Sequence, residues 1–162
     1  MRTDNPAHSI RFGRAGQFLR IDLIEAPSGP SLAAQLGRGG HSHHVDGRIE
    51  AVVDGFRACY TTDLFGVDFP AFRDELAGLY SFEAQKAGIE TADGELKIDI
   101  KGDGRGHFKA NCVARINWQE AFPCFTFTLE FDQTDIPGML AELDAVLQRK
   151  SGRARAVMVR RR

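Results

Sequence analysis

Three histidines close together, His41, His43 and His44, are the first residues of this chain whose type and spacing could do chemistry. Imidazole suits zinc, nickel or copper, and an H-x-H step on an extended segment puts two rings on one side. A complete site needs a further protein ligand, and the sequence supplies neither an H-E-x-x-H nor a C-x-x-C companion. The stretch therefore reads as an exposed, His-rich loop with no metal assigned and no cofactor expected. Gly102-Asp-Gly-Arg-Gly-His107 invites comparison with a phosphate-binding loop, which needs a strand before it and a helix after it. An alternating strand pattern follows instead, and no Lys-Ser or Lys-Thr closes the motif, so the segment reads as a hairpin turn. It also lacks the regular Asp/Asn spacing and closing Glu of a calcium loop. Asp74-Glu75 falls on the exposed side of a helical pattern, no serine sits in a G-x-S-x-G elbow, and Ser42 beside the histidines makes no triad. Cys59, Cys112 and Cys124 have neither disulfide nor zinc spacing, and Cys112 falls in phase with apolar strand neighbours as a small core residue. No residues are assigned a catalytic role.

The elements that must position these residues show themselves by alternation. Leu19, Ile21 and Leu23 share one face of a strand while Arg20 and Asp22 share the other. Leu96, Ile98 and Ile100 repeat the pattern, as do Phe108 to Ile116 and Phe125 to Phe131. One wet and one dry face per strand is the pattern of an antiparallel sheet covered on one side. Residues 95–132 read as a three-strand meander, turning at Gly102–Gly106 and Asn117–Ala121. Residues 46–63 give one or two further strands with a turn at Asp54-Gly55, and 8–13 gives an N-terminal strand. Two segments switch to helical period. Asp68 caps a helix with Phe69, Phe72, Leu76 and Leu79 on one stripe and Pro70 in its first turn. Asp135 precedes a second, with Ile136, Leu140, Leu143 and Leu147 in line, running to about Lys150. Residues 27–47 form a long loop with a helical turn at Leu32–Leu36, and no internal repeat stands out. The expected fold is α+β: an antiparallel sheet of about five to seven strands with two amphipathic helices on one face.

Composition narrows the function. With 162 residues, 43% hydrophobic and 27% charged, the chain has the length and make-up of one globular domain. It reads as a single domain over 1–150 followed by a basic, disordered tail over 151–162. No apolar stretch suits a membrane span, and Met1-Arg-Thr-Asp-Asn-Pro lacks a secretory run, so a cytoplasmic location is expected. Charge is divided along the chain. From Arg149 onward there are seven basic residues and no acidic ones, which leaves 14 basic and 22 acidic side chains before it, a net of −8. An acidic body steers towards a basic partner, and the basic end could touch an anionic surface.

The C-terminal run Phe125-Thr-Phe-Thr-Leu-Glu-Phe-Asp-Gln-Thr-Asp-Ile-Pro-Gly-Met-Leu-Ala-Glu-Leu-Asp-Ala-Val-Leu147 resembles the end of WapI-like immunity proteins. There an alternating strand leads into D-Q-T, a hydrophobic residue, Pro and a closing amphipathic helix. The resemblance covers residues 10–150 in order of elements, with the Gly102–Gly106 turn and the strand at 18–25 in the same layout. It implies a bacterial protein that neutralises a cognate toxin domain of a polymorphic toxin by binding rather than by chemistry. The Asp132–Asp135 motif itself reads as structural, a turn from strand to helix capped by side-chain oxygens. The histidine loop and the Arg-rich end depart from the family layout.

The expected function is thus an immunity-type protein that docks an acidic face on a protein toxin. Its expected contacts are Asp22, Asp99 and Glu130 on the wet strand faces, with His41, His43 and His44 in the loop. Two alternatives stand beside it: a metal-binding or hydrolytic module built on the three histidines, and a nucleic-acid-binding accessory factor working through the basic tail.

Overall fold

The computed structural model describes residues 8–25, 31–36, 44–116 and 123–147. Among these residues, eight strands form two four-stranded antiparallel sheets, each a simple meander. The first holds β1 (Ser9–Arg14), β2 (Gln17–Ile24), β3 (Asp46–Val53) and β4 (Phe56–Asp63). The second holds β5 (Lys86–Glu90), β6 (Leu96–Gly102), β7 (His107–Arg115) and β8 (Cys124–Asp132). Helix α1 (Leu32–Leu36) lies between β2 and β3 in the chain, α2 (Phe69–Tyr80) follows β4, and α3 (Ile136–Val146) follows β8 after a 3-10 turn over Gln133–Asp135.

The single sheet of five to seven strands is corrected to two sheets, and the two helices to three. Alternation reports that each strand has one dry face; it does not report which other strands share it. Two four-stranded sheets with one dry face each leave the same trace as one larger sheet. Strand β5 escaped the sequence reading because it is short and carries Gly88 in its middle.

Local chemistry explains the elements that were legible. Asp54 and Gly55 both have positive φ, 49° and 84°, as a two-residue β3–β4 hairpin loop demands. Asp68 caps α2 by accepting a hydrogen bond from the Ala71 N–H at 2.9 Å, and Pro70 sits where its missing N–H costs nothing. Between β6 and β7, the Asp103 carboxylate accepts the N–H groups of Arg105 (2.6 Å) and His107 (3.2 Å), and Gly104 and Gly106 take up the positive φ. The Asn117–Ala121 turn, residues Gln148–Lys150 and the tail over 151–162 lie outside the described residues.

An internal repeat that does not stand out along the chain emerges once the elements are placed: four meandering strands and a helix, twice over. Asp68-Phe-Pro-Ala-Phe-Arg-Asp-Glu-Leu76 aligns with Asp135-Ile-Pro-Gly-Met-Leu-Ala-Glu-Leu143, sharing Asp, Pro, Glu and Leu at the same spacing. The shared Glu has one job in both halves, and it works across to the other half. Glu75 of α2 accepts the Gly88 N–H of edge strand β5 at 3.0 Å, and Glu142 of α3 accepts the Arg11 N–H of edge strand β1 at 2.8 Å. Each helix thereby blunts one edge of the opposite sheet, an edge that would otherwise present open hydrogen-bonding groups.

The same crossing builds the core. Helix α2 packs on β5 and α3, while α3 packs on β1 and β1 meets β8. Ile10, Leu19, Ile21 and Ile49 from the first sheet join Leu96, Ile98, Ala110 and Cys112 from the second in one buried cluster. Phe69, Phe72, Leu76 and Leu79 complete it from α2 as the spacing predicts. In α3 the buried stripe is Ile136, Met139, Leu143 and Val146, with Leu140 only partly buried. A bidentate ion pair, Arg73 Nε to Asp144 Oδ1 at 2.8 Å and Nη2 to Oδ2 at 3.1 Å, pins α2 to α3.

Candidate partner interface

Burying an apolar core turns the polar faces of both sheets outward, and the structure decides how each is used. On the first sheet, the register sets Arg20 opposite Glu50 and Asp22 opposite Arg48. Arg20 reaches Asp22 at 3.1 Å and Glu50 at 2.7 Å, and Arg57 reaches Glu50 at 2.6 Å. The Ser9 hydroxyl donates to Asp22 at 2.8 Å. Asp22 is only 7% exposed and Glu50 5%. The expectation that Asp22 stands free on a wet face is therefore corrected: the flanking arginine and serine cover it and satisfy its charge. Arg11, Arg48 and Arg57 are exposed on this face, and so is Asp46 beside them.

Asp99 and Glu130 are exposed on the second sheet, as expected, and lie on its outer face. They are not neighbours, because β7 intervenes: Asp99 faces Asn111, and Glu130 faces Lys109. Asp99 has Lys97 at 3.7 Å and Glu130 has Lys109 at 3.4 Å. Of the histidines, His44 is described. Its ring stacks on Phe65, with centroids 4.5 Å apart, and its Nδ1 meets Asp63. His41 and His43 lie outside the described residues. Among the described residues, no group of three potential ligands is placed to hold a metal.

The corner where α2 hands over to β5 is the surface that sequence reasoning missed. Glu83 is exposed there, and in the same stretch Tyr80 is 43% and Phe82 52% exposed, while Asp74 and Glu75 are exposed further back along α2. The helix ends at Ser81 in a Schellman arrangement. The Phe82 N–H bonds to the Leu79 carbonyl at 3.3 Å, and the Glu83 N–H to the Gly78 carbonyl at 2.9 Å. That arrangement puts Phe82 at φ +60°, a position glycine normally fills because a side chain is strained there. An aromatic side chain thus occupies a strained position with half its surface in solvent. A cleft of about 490 Å³ opens beside it, lined by Phe82, Gln85, Asp103, Gly104 and Phe108 among others. The Asp103 carboxyl is held below the usual carboxylate range by the Arg105 and His107 N–H groups, so it is anionic at neutral pH.

The Asp132–Asp135 motif braces this corner. Asp135 accepts the Asp132 N–H at 2.8 Å, which closes the turn into α3. The Gln133 side chain donates to the Tyr80 carbonyl at 2.8 Å and its backbone N–H to Gly106 at 2.8 Å. Arg14 from β1 bridges Asp132 and Asp135, and His107 meets Asp132 at 2.9 Å. The motif closes the turn into α3 as expected, and beyond that it ties α2, the β6–β7 turn and β1 together.

The sequence profile of the immunity protein WapI-like family matches residues 10–150. The chain belongs to this family. No curated protein matches it. Among solved structures, it resembles one described as crystal structures of Trypanosoma bruciei MRP1/MRP2, at 12% identity over 91% of this chain and 86% of that one, with a TM-score of 0.44. Membership of an immunity family points to binding rather than catalysis. No helix among the described residues is long and apolar enough to cross a membrane.

Proposed function

We propose that the protein neutralises a cognate toxin domain by binding it, without catalysis, and that the α2–β5 corner is where the toxin docks. One observation carries the choice of surface: Phe82 occupies a strained left-handed position with its ring half in solvent. Interfaces draw most of their energy from a few aromatic anchors ringed by polar contacts, and Phe82 and Tyr80 beside Glu83 and Asp103 fit that pattern. The carboxylates select a basic patch on the toxin and speed its approach. Asp99 and Glu130 would extend the contact at its rim; Asp22, buried under its own ion pairs, would not.

The test starts with capture of the partner from source cells and its identification as a toxin domain. Wild-type protein should then protect cells expressing that domain. Phe82→Gly, which suits the backbone better than phenylalanine, should stay folded yet bind at least tenfold more weakly. Full binding and full protection by Phe82→Gly and Glu83→Lys would move the interface elsewhere, and absence of protection by the wild type would end the immunity reading.

A further inference from the structure

The outer face of the second sheet carries a feature that works against folding. Lys86 on β5, Lys101 on β6 and Lys109 on β7 stand directly opposite one another in register, and all three are exposed. Like charges directly across a strand pair destabilise a sheet. Two rows along the same face the usual solution appears, with Lys97 opposite Glu90 at 3.4 Å and 3.7 Å from Asp99. Lys86 and Lys101 make no ion pair of 4.0 Å or less with the described residues. Lys109 meets Glu130 at 3.4 Å, but both side chains are about 70% exposed (70% and 71%), and such a pair contributes little. The amines run between two shallow clefts. One of about 370 Å³ is lined by Glu75, Lys86, Asp99 and Lys101, and one of about 430 Å³ by Lys101, His107, Lys109 and Glu130 among others.

Two further observations say what the row would meet. It adjoins the docking corner: Lys86 is three residues beyond Glu83, and the Gly102 N–H bonds to the Gln85 carbonyl at 3.2 Å. It is also short and hemmed in by Asp99, Asp103 and Glu130. Neighbouring strands are about 4.8 Å apart, so three lysines span roughly 10 Å. A long phosphate backbone crossing them would run onto carboxylates at either side. A short acidic stretch of protein would not.

We propose that the Lys86–Lys101–Lys109 row receives carboxylates of the same toxin domain that docks on the α2–β5 corner. The toxin face would then be bipolar, with a basic patch for the corner beside an acidic strip for the lysines. This rests on the immunity reading above. The opposed charges fix the orientation in which the two proteins meet, because turning the toxin around sets like against like on both halves.

Lys101→Glu tests it, because the substitution places a carboxylate between two ammonium groups and relieves both like-charge pairs. The variant should melt higher than wild type by about 2–4 °C while binding less well. A hexaglutamate peptide should shift the backbone amide resonances of Lys86, Lys101 and Lys109 in the wild type and not in Lys101→Glu. An oligodeoxynucleotide of equal charge should bind more weakly than the peptide. The captured toxin domain should bind Lys101→Glu about tenfold more weakly, with a reduced dependence on salt. Silence of the three amides towards hexaglutamate, or tighter binding of the oligonucleotide, would overturn the assignment. So would an unchanged toxin Kd for Lys101→Glu alongside a weakened one for Phe82→Gly, which would leave the corner standing. Indifference of the toxin to both variants would remove the corner as well.

Discussion

Removing the Asp144 carboxylate probes the pin between the two halves of the molecule. Asp144 is 4% exposed and is held by two bonds from the Arg73 guanidinium, whose side chain is 23% exposed. Withdrawing one partner of a mostly buried ion pair costs about 3–5 kcal/mol, and here Asp74, 3.6 Å from Arg73, remains as a weaker counter-charge. The exposed portion of Arg73 allows some rehydration, so Asp144→Ala is expected near the lower end, about 3 kcal/mol. For a chain of this length each kcal/mol moves Tm by about 2–4 °C, so a fall of about 6–12 °C is expected. The decisive measurement is a double-mutant cycle by urea denaturation, with Arg73→Leu, Asp144→Leu and the pair together. Leu140 occupies the position of Arg73 in the other half of the repeat, so leucine suits that helical site. The double variant should recover most of the loss, since two buried charges cost more to desolvate than two apolar side chains. Additive losses, or an Asp144→Ala variant within 1 kcal/mol of wild type, would refute the argument.

Other consequences can be measured on the isolated protein. Phe82→Gly should raise stability by about 1 kcal/mol, because glycine accepts the left-handed position without strain; a destabilised variant would show that the ring supports the fold instead. The Asp132 carboxylate raises the His107 pKa above its ordinary value through their hydrogen bond, so His107 contributes stability that is present below pH 6.5 and lost as pH rises through the raised value. His107→Gln should remove that loss from the pH profile of Tm, and a His107 pKa at or below 6.5 by NMR would contradict the pairing. Burial raises the Glu142 pKa, against the opposing Arg11 N–H bond, so its contribution is largest below pH 4.5 and falls away as pH climbs through the raised value. Glu142→Gln keeps an acceptor for Arg11 and should flatten that slope, whereas Glu142→Ala leaves the β1 edge uncapped and should cost about 1 kcal/mol. Equal stability of the two variants would show that the cap is idle.

Short-range physics was readable from the chain. Asp68 with Pro70 announces the start of α2, and Asp54-Gly55 announces a hairpin, because caps and turns are settled within four residues. Alternation in Leu96–Ile100 and Phe125–Phe131 likewise fixes which side chains are buried, since a strand's period is two whatever it pairs with. Cys112 fell in place as an inert core residue, its thiol pushed up to about 12 by burial. The D-Q-T run carried the family resemblance and read as structural for the same reason: its bonds to the turn it closes are local.

Questions about neighbours across the chain waited for the tertiary structure. Whether the strands make one sheet or two depends on pairing, and pairing leaves no mark on a strand's own alternation. Asp22 and Asp99 look alike in sequence, each an acid between apolar residues, yet one is roofed by Arg20 and Ser9 while the other stays in water. The lysine row requires the register of three strands to be known. Phe82 reads as an ordinary aromatic until its φ is seen. For segments other than the short, glycine-containing β5, the sequence determined what each would be and which way its side chains would face, because those follow from bonds within a few residues. The tertiary structure alone decided which charges are neutralised and which stay exposed, because electrostatic energy depends on distance through space and not along the chain.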